Sequence, residues 1–257
     1  MIDQQRLRYS RHLLLDDWSE SVQERLLQSR VLVVGAGGLG APALLYLASA
    51  GVGRLTVVDP DVVDLTNLQR QVIHTTARIG QAKVWSAAQC LADLNPEVQV
   101  HAVQARADTA WLAQHVPQAD LVLDCSDNFA TRHAINLACR AARVPLVSAS
   151  ALGFAAQVTV FDARQPESPC YACLFPPDQV APDALCATMG VFAPVVGVLG
   201  AMQAGEGLKI LGELGPEPGR HQSLCGRLLM LDARSWRWTE VQVRRSANCP
   251  VCAEAHI

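Results

Sequence analysis

The sequence predicts an α/β fold, a Rossmann-like nucleotide-binding sheet that is parallel in its N-terminal half and continued by antiparallel strands. Two observations carry this. Short Val/Leu runs alternate with Ala-rich segments over residues 1–150, the pattern of strands and helices taking turns in a parallel sheet. Directly after the first such run, Gly35-Ala36-Gly37-Gly38-Leu39-Gly40 has the G-x-G-x-x-G spacing, which between a strand and a helix is a nucleotide-binding turn.

Taken in order, Val31 to Val34 reads as the first strand. The helix after the glycine turn runs from Leu39 to Ala50, with Pro42 in its first turn and Gly51 as its stop. Leu55 to Asp59 is the next strand. A loop through Gln71 leads to a helix from Gln81 to Asp93, stopped by Asn95-Pro96, and Val98 to Val103 supplies another strand. Leu121 to Asp124 reads as a buried strand, Phe129 to Arg143 as a helix capped by Asp127 or Asn128, and Leu146 to Ser148 as the last strand of the alternating part. Beyond Gly153, Ala156 to Phe161 and Arg227 to Val243 suggest strands with fewer helices between them, so the sheet is expected to finish antiparallel. Pro166 to Pro182 holds five prolines and reads as an extended loop of the kind that serves active sites. No repeat, low-complexity tract or Ser/Gly linker divides the chain. Residues 1–257 are therefore expected to form one domain, with 1–150 as its nucleotide-binding half and 151–257 as its second half.

Half of the 257 residues are apolar and 18% are charged, enough to bury a sizeable core. A formal charge of -3 gives no global attraction for nucleic acid or an anionic membrane, so neither is an expected partner. Met1 to Ser10 carries Asp3 and lacks the apolar run of a signal peptide, which predicts a cytoplasmic protein. There its nine cysteines would be reduced thiols or metal ligands. Ala184 to Met202 has only Thr188 as a conventionally polar side chain, yet Pro194 and three glycines interrupt it, and Gln203, Glu206 and Lys209 continue its helical pattern. It reads as a loop end feeding a buried globular helix, not a membrane span.

In the glycine turn, glycine lets the backbone approach phosphates and the following helix offers unpaired N–H groups, while Asp59, at the end of the second strand, is placed to accept ribose hydroxyls. This fingerprint alone defaults to a nicotinamide enzyme. Three features point instead to phosphate chemistry on ATP: Asn67-Leu68-Gln69-Arg70-Gln71, with Arg70 as a fixed cation; Lys83, one of only two lysines; and Asp124-Cys125-Ser126-Asp127-Asn128 at a strand end. Nucleotidyl transfer spreads charge over a pentavalent phosphorus, which pre-organised cations stabilise. Asp127 is a candidate magnesium ligand, with helix capping as its alternative role. Cys170-Tyr171-Ala172-Cys173 and Cys249-Pro250-Val251-Cys252 form two Cys-x-x-Cys pairs. Together they have the ligands for a closed, structural zinc shell. Independent redox pairs or unligated thiols are the alternative.

With these residues in view, the chain resembles the ThiF/MoeB/HesA family, bacterial relatives of ubiquitin-activating enzymes. The resemblance rests on Arg8-Tyr9-Ser10-Arg11-His12, the glycine turn, Asp59-Pro60-Asp61, Asn67 to Gln71, Gly80 with Lys83, Asp124 to Arg132, both cysteine pairs, and Ala193-Pro194 followed by Gln203-Ala204. It implies adenylation of the C-terminal glycine of a ubiquitin-like sulfur carrier, with release of pyrophosphate. The carrier would be of the thiamine or the molybdopterin type, and would bind in the 151–257 half. By the same resemblance, Gly35, Gly37, Gly38, Gly40 and Asp59 would hold ATP, Asn67, Arg70, Gln71 and Lys83 would contact its phosphates, and Asp127 would be the magnesium-linked carboxylate. The chain would form a homodimer in which Arg11 reaches the neighbouring subunit's phosphates. For Arg132 a salt bridge is an equal reading. Cys186 lies where thiamine-pathway members place a cysteine that becomes linked to the carrier, but Cys186-Ala187-Thr188 departs from their Cys-Arg-Thr pattern, and a small buried apolar side chain is the alternative. No sulfur-transferase domain follows Cys252, so a separate sulfur donor protein is expected. A nicotinamide-dependent oxidoreductase and a nucleotide-binding scaffold without catalysis remain the competing functions.

Overall fold

The computed structural model describes residues 1–178, 190–214 and 223–253. Its eight strands form one sheet in the order β3-β2-β1-β4-β5-β6-β7-β8. These are β1 (Arg30–Val34), β2 (Arg54–Val58), β3 (Gln99–Val103), β4 (Leu121–Asp124), β5 (Leu146–Leu152), β6 (Ala155–Phe161), β7 (Arg227–Asp232) and β8 (Arg237–Gln242). β1 to β5 are mutually parallel, and the direction reverses between β5 and β6, after which each strand is antiparallel to the last. The expected change from parallel to antiparallel thus falls at a single hairpin turning at Gly153 and Phe154.

Helices cover both faces of the parallel part, and strand side chains alternate between two cores accordingly. Val31 and Val33 of β1 and Leu121 and Leu123 of β4 pack beneath α3 (Glu20–Gln28), α4 (Gly40–Ser49) and α5 (Lys83–Leu94). Leu32, Val34 and Val122 pack on the opposite face, under α6 (Thr109–His115) and α7 (Phe129–Ala142). The first core also takes in α9 (Ala193–Leu211), which follows α1 (Asp3–Arg8), α2 (Ser10–Leu13) and the short α8 (Tyr171–Leu174) in our numbering. α9 crosses α4 so closely that a Cβ on Gly200 would lie 2.3 Å from the Leu39 carbonyl oxygen. A glycine there is a packing requirement.

Most expected elements appear within a few residues of their predicted bounds. Four details differ. Thr109–His115 is a helix the sequence reading lacked, capped by Asp108, whose carboxylate accepts from the Trp111 N–H. β5 continues four residues past Ser148 because Ser150 to Leu152 find partners in β6. Arg227 to Val243 resolves into two strands around a turn in which Trp236 takes φ 54°. The Pro-rich segment contains α8. Among the described residues, no helix is long and apolar enough to cross a membrane.

Candidate active site and cysteine cluster

β1 lies between β2 and β4, so the chain leaves it in opposite directions on its two sides, and a crevice opens at the carboxyl ends of these strands. A cleft of about 790 Å³ occupies this place, within the size range of small-molecule sites. Its floor is the turn between β1 and α4. Gly35 has φ +102°, and a Cβ there would come within 2.6 Å of the Cys125 carbonyl oxygen; at Gly40 it would come within 2.0 Å of the Gly35 carbonyl oxygen. Those two glycines make the turn possible. Gly37 and Gly38 instead face the cleft. The N–H groups of Gly37, Gly38 and Leu39 have no acceptor among the described residues, and they stand at the start of α4, where the helix dipole favours an anion.

Asp59, just past β2, is buried and holds the turn: one carboxylate oxygen accepts from the Ala36 N–H at 2.8 Å and the other from the Asp61 N–H at 2.9 Å. Burial raises its pKa, and the neighbouring Lys83 charge opposes that rise. Lys83 begins α5; its side chain is 8% exposed, and its ammonium pairs with the exposed Asp61 at 2.8 Å. A buried cation held by one exposed carboxylate is available to an incoming phosphate. Arg70 and Gln71 enter the same cleft from a turn whose hinge is Asn67, the carbonyl of which accepts from both of their N–H groups. Asn67 itself does not line the cleft, and its side chain reaches Thr66.

Across the cleft, Asn128 caps α7 by accepting the Thr131 N–H at 2.9 Å. The capping duty therefore falls on Asn128 and leaves the Asp127 carboxylate exposed at the cleft wall. Arg132 is buried and donates to the carbonyls of Ala149 and Ser126, at 3.0 and 2.6 Å, tying down the loop that carries Asp127. It has no carboxylate partner among the described residues. Thr66, Arg106, Leu152, Tyr171 and Phe175 also line the cleft, and the sequence does not announce them as site residues: Leu152 lies in the extension of β5, Tyr171 opens α8 inside a Cys-x-x-Cys pair that reads only as a metal motif, and the others come from the connections between elements. Arg11 is exposed on α2 and outside this cleft. Cys186 lies outside the described residues.

The second constellation is the cysteine cluster. One sulfur atom from each of Cys170, Cys173, Cys249 and Cys252 lies within 4.8 Å of the others. Three of the separations are 3.9 Å (Cys170 to Cys173), 3.6 Å (Cys170 to Cys249) and 3.3 Å (Cys173 to Cys252). These lengths are far too great for disulfides. A tetrahedral zinc–thiolate shell with bonds of ~2.3 Å has edges of ~3.8 Å, so the four sulfurs fit zinc, and they leave no open ligand position. Hydrogen bonds, first from Cys170, hold the Cys173 thiol down at about 4.

The ThiF family model matches residues 9–251. The sulfur carrier protein ThiS adenylyltransferase of Escherichia coli K12 is 46% identical over 98% of this chain and 97% of its own length. The molybdopterin-synthase adenylyltransferase of the same organism is 44% identical over 98% of both chains, and the SAMP-activating enzyme E1 of Haloferax volcanii is 46% identical over 97% of this chain and 90% of its own. Among solved structures, E. coli MccB with ATP superposes with a TM-score of 0.80 at 25% identity, covering 96% of this chain and 74% of that one.

Proposed function

The chain belongs to the ThiF family, and from that premise we infer that it is an ATP-dependent adenylyltransferase acting on the C-terminal glycine of a ubiquitin-like sulfur carrier, for thiamine or molybdopterin biosynthesis. The observation that carries this is the convergence, in one switch-point cleft, of unpaired turn N–H groups, Lys83, Arg70 and Asp127. A nicotinamide enzyme has no use for that set of charges.

In the reaction a carboxylate oxygen of the carrier's terminal glycine attacks the α-phosphorus of ATP. The bond from that phosphorus to the bridging oxygen breaks, the electron pair leaves with pyrophosphate, and an acyl-adenylate remains. The glycine turn and Asp59 would seat the nucleotide. Lys83, released from Asp61, and Arg70 would meet the charge that builds on the phosphates, with Gln71 donating beside them and Asn67 setting their turn. Asp127 would hold magnesium, which supplies charge neutralisation on the phosphate oxygens when bound. The second half of the chain would receive the carrier, and the four cysteines would bind one structural zinc. The active assembly is read as a single-domain homodimer in which Arg11 of one subunit serves its neighbour. It would act in the cytoplasm and draw sulfur from a separate donor protein.

The test is exchange of labelled pyrophosphate into ATP with magnesium and each candidate carrier in turn. Carrier-dependent exchange is expected. Turnover of NAD with a small alcohol, and no exchange with any carrier, would overturn the reading.

A further inference from the structure

Behind the glycine turn, away from the cleft, lies His74, buried and with both ring nitrogens engaged. Nε2 is 2.9 Å from the Ala36 carbonyl oxygen and Nδ1 is 2.8 Å from Ser86 Oγ. A carbonyl only accepts, so the proton sits on Nε2, and Nδ1 accepts from the Ser86 hydroxyl. Ala36 is thereby fixed on both sides: its N–H by Asp59 at 2.8 Å and its C=O by His74.

The second contact bears on the phosphates. In a trans peptide the C=O and the next N–H point in opposite directions. Holding the Ala36 carbonyl toward His74 therefore turns the Gly37 N–H away from it, and Gly37 lines the cleft with no acceptor for that N–H among the described residues. This peptide turns through ψ of Ala36 and φ of Gly37, and glycine at the second of these positions leaves the turn open to a flip, which the bond from His74 opposes. We propose that His74 is a positioning residue for ATP: it locks the Ala36–Gly37 peptide so that the Gly37 N–H faces the phosphate site, and Ser86, one turn inside α5 from Lys83, holds the ring in the required tautomer. The same arrangement couples three segments that meet the nucleotide, because His74 follows Arg70 and Gln71, grips the glycine turn, and leans on the helix that begins with Lys83.

This rests on the adenylyltransferase reading for its kinetic arm only. Wild type is assayed first for carrier-dependent pyrophosphate exchange, and equilibrium binding of magnesium-ATP is measured in parallel without carrier. His74→Leu should raise the ATP KM and the ATP Kd by about tenfold, the cost of one lost orienting hydrogen bond, with kcat within about threefold of wild type. His74→Gln carries an amide N–H at a reach similar to Nε2 and should recover most of the loss. His74→Asn, one methylene shorter, should not. Ser86→Ala should give a smaller rise in the same direction. An unchanged Kd in His74→Leu, equal loss in the Gln and Asn variants, or a fall in kcat with KM unchanged would overturn the proposal. Should His74→Leu fail to fold, the Gln against Asn contrast and Ser86→Ala decide. Failure of exchange in wild type would sink the adenylyltransferase reading, while the binding arm would still judge His74.

Discussion

The centre of the sheet and its β8 edge are held by different means. Every residue of β4 and all but the first of β1 are buried, between helices on both faces. All six residues of β8 are exposed. Where two helical layers cover the strands, hydrophobic packing fixes the strand ends, and the cleft sits there. Where no layer covers the hairpin, little apolar area leaves water, and the chain directly after it turns back to place Cys249 and Cys252 on Cys170 and Cys173. The contrast separates two tasks: the packed centre sets the geometry of the cleft, and the sulfur cluster, if it binds zinc as proposed, would supply the anchorage that a thin core does not.

The contrast is broken most directly by disabling one task while the other stays intact. Asp127→Ala should abolish carrier-dependent pyrophosphate exchange, since loss of one pre-organised charge costs about 3 to 4 kcal/mol in the barrier, hence hundreds-fold or more in rate. Its melting temperature should stay near wild type, because Asn128 does the capping. Exchange at more than a tenth of the wild-type rate would contradict this.

The converse is Cys249→Ser with Cys252→Ser. Wild type should carry one zinc per chain by metal analysis, and the double variant should lose it and melt about 10 °C lower, the equivalent of a few kcal/mol in a chain of this length. The C-terminal part should open to hydrogen exchange before the sheet centre does. Zinc retained by the double variant, or a metal-free preparation with an unchanged melting temperature, would dissolve the distinction.

A smaller effect belongs to the packed centre alone. Burial lowers the pKa of His74, and the charges of Lys83 and Arg78 add to this, while the hydrogen bond to Ala36 works against it. Of the nearby carboxylates, Asp59 is itself pushed up by burial and Asp61 is paired with Lys83. The folded chain therefore keeps His74 neutral where the unfolded chain begins to bind a proton, from about pH 6.5 downward. More protons on the unfolded state means stability falling with pH, by at most ~1.4 kcal/mol per unit for one histidine. Asp59 acts in the opposite sense at lower pH, because its raised folded pKa favours the folded state on acidification. Urea midpoints at pH 7.5 and 5.5 should differ less in His74→Gln than in wild type, and equal differences would refute the assignment.

The smallest effect is expected at Cys186. Adenylation needs phosphate positioning and a carboxylate already on the carrier, so Cys186→Ala should leave pyrophosphate exchange within about twofold of wild type. If enzyme, ATP, carrier and a sulfur donor together yield a thiol-sensitive adduct by intact mass that the variant lacks, the cysteine has a covalent role in the later sulfur step.

What the sequence disclosed and what it hid follow from the range of the forces involved. The glycine turn, the strand ends at Asp59 and Asp124 and the cysteine pairs are local patterns, and each was legible. α6 was not, because seven residues between polar neighbours give too little periodicity, although Asp108 before Thr109 was a cap signal. β5 looked short because Ser150 and Ala151 have weak strand preference; their conformation comes from pairing with Gln157 and Ala156. The β7–β8 hairpin hid because Trp236, not glycine, takes the positive φ of its turn. In the site, the Lys83–Asp61 pair and the grip of His74 on Ala36 join residues 22 and 38 positions apart, and no local spacing announces such contacts.

The sulfur cluster also changes what kind of object the chain is. Cys173 and Cys252 stand 3.3 Å apart in space, so once metal joins them, the segment from α9 through β8 becomes a ring. A proteolytic cut at any point between residues 174 and 248 would not release a fragment, because both new ends stay tethered at the cluster. Unlike a disulfide, such a ring is closed only in the folded chain, where the site exists, so the free energy of metal binding would add to the stability of the fold. A chelator would therefore turn a nicked but whole protein into two pieces held only by their packing.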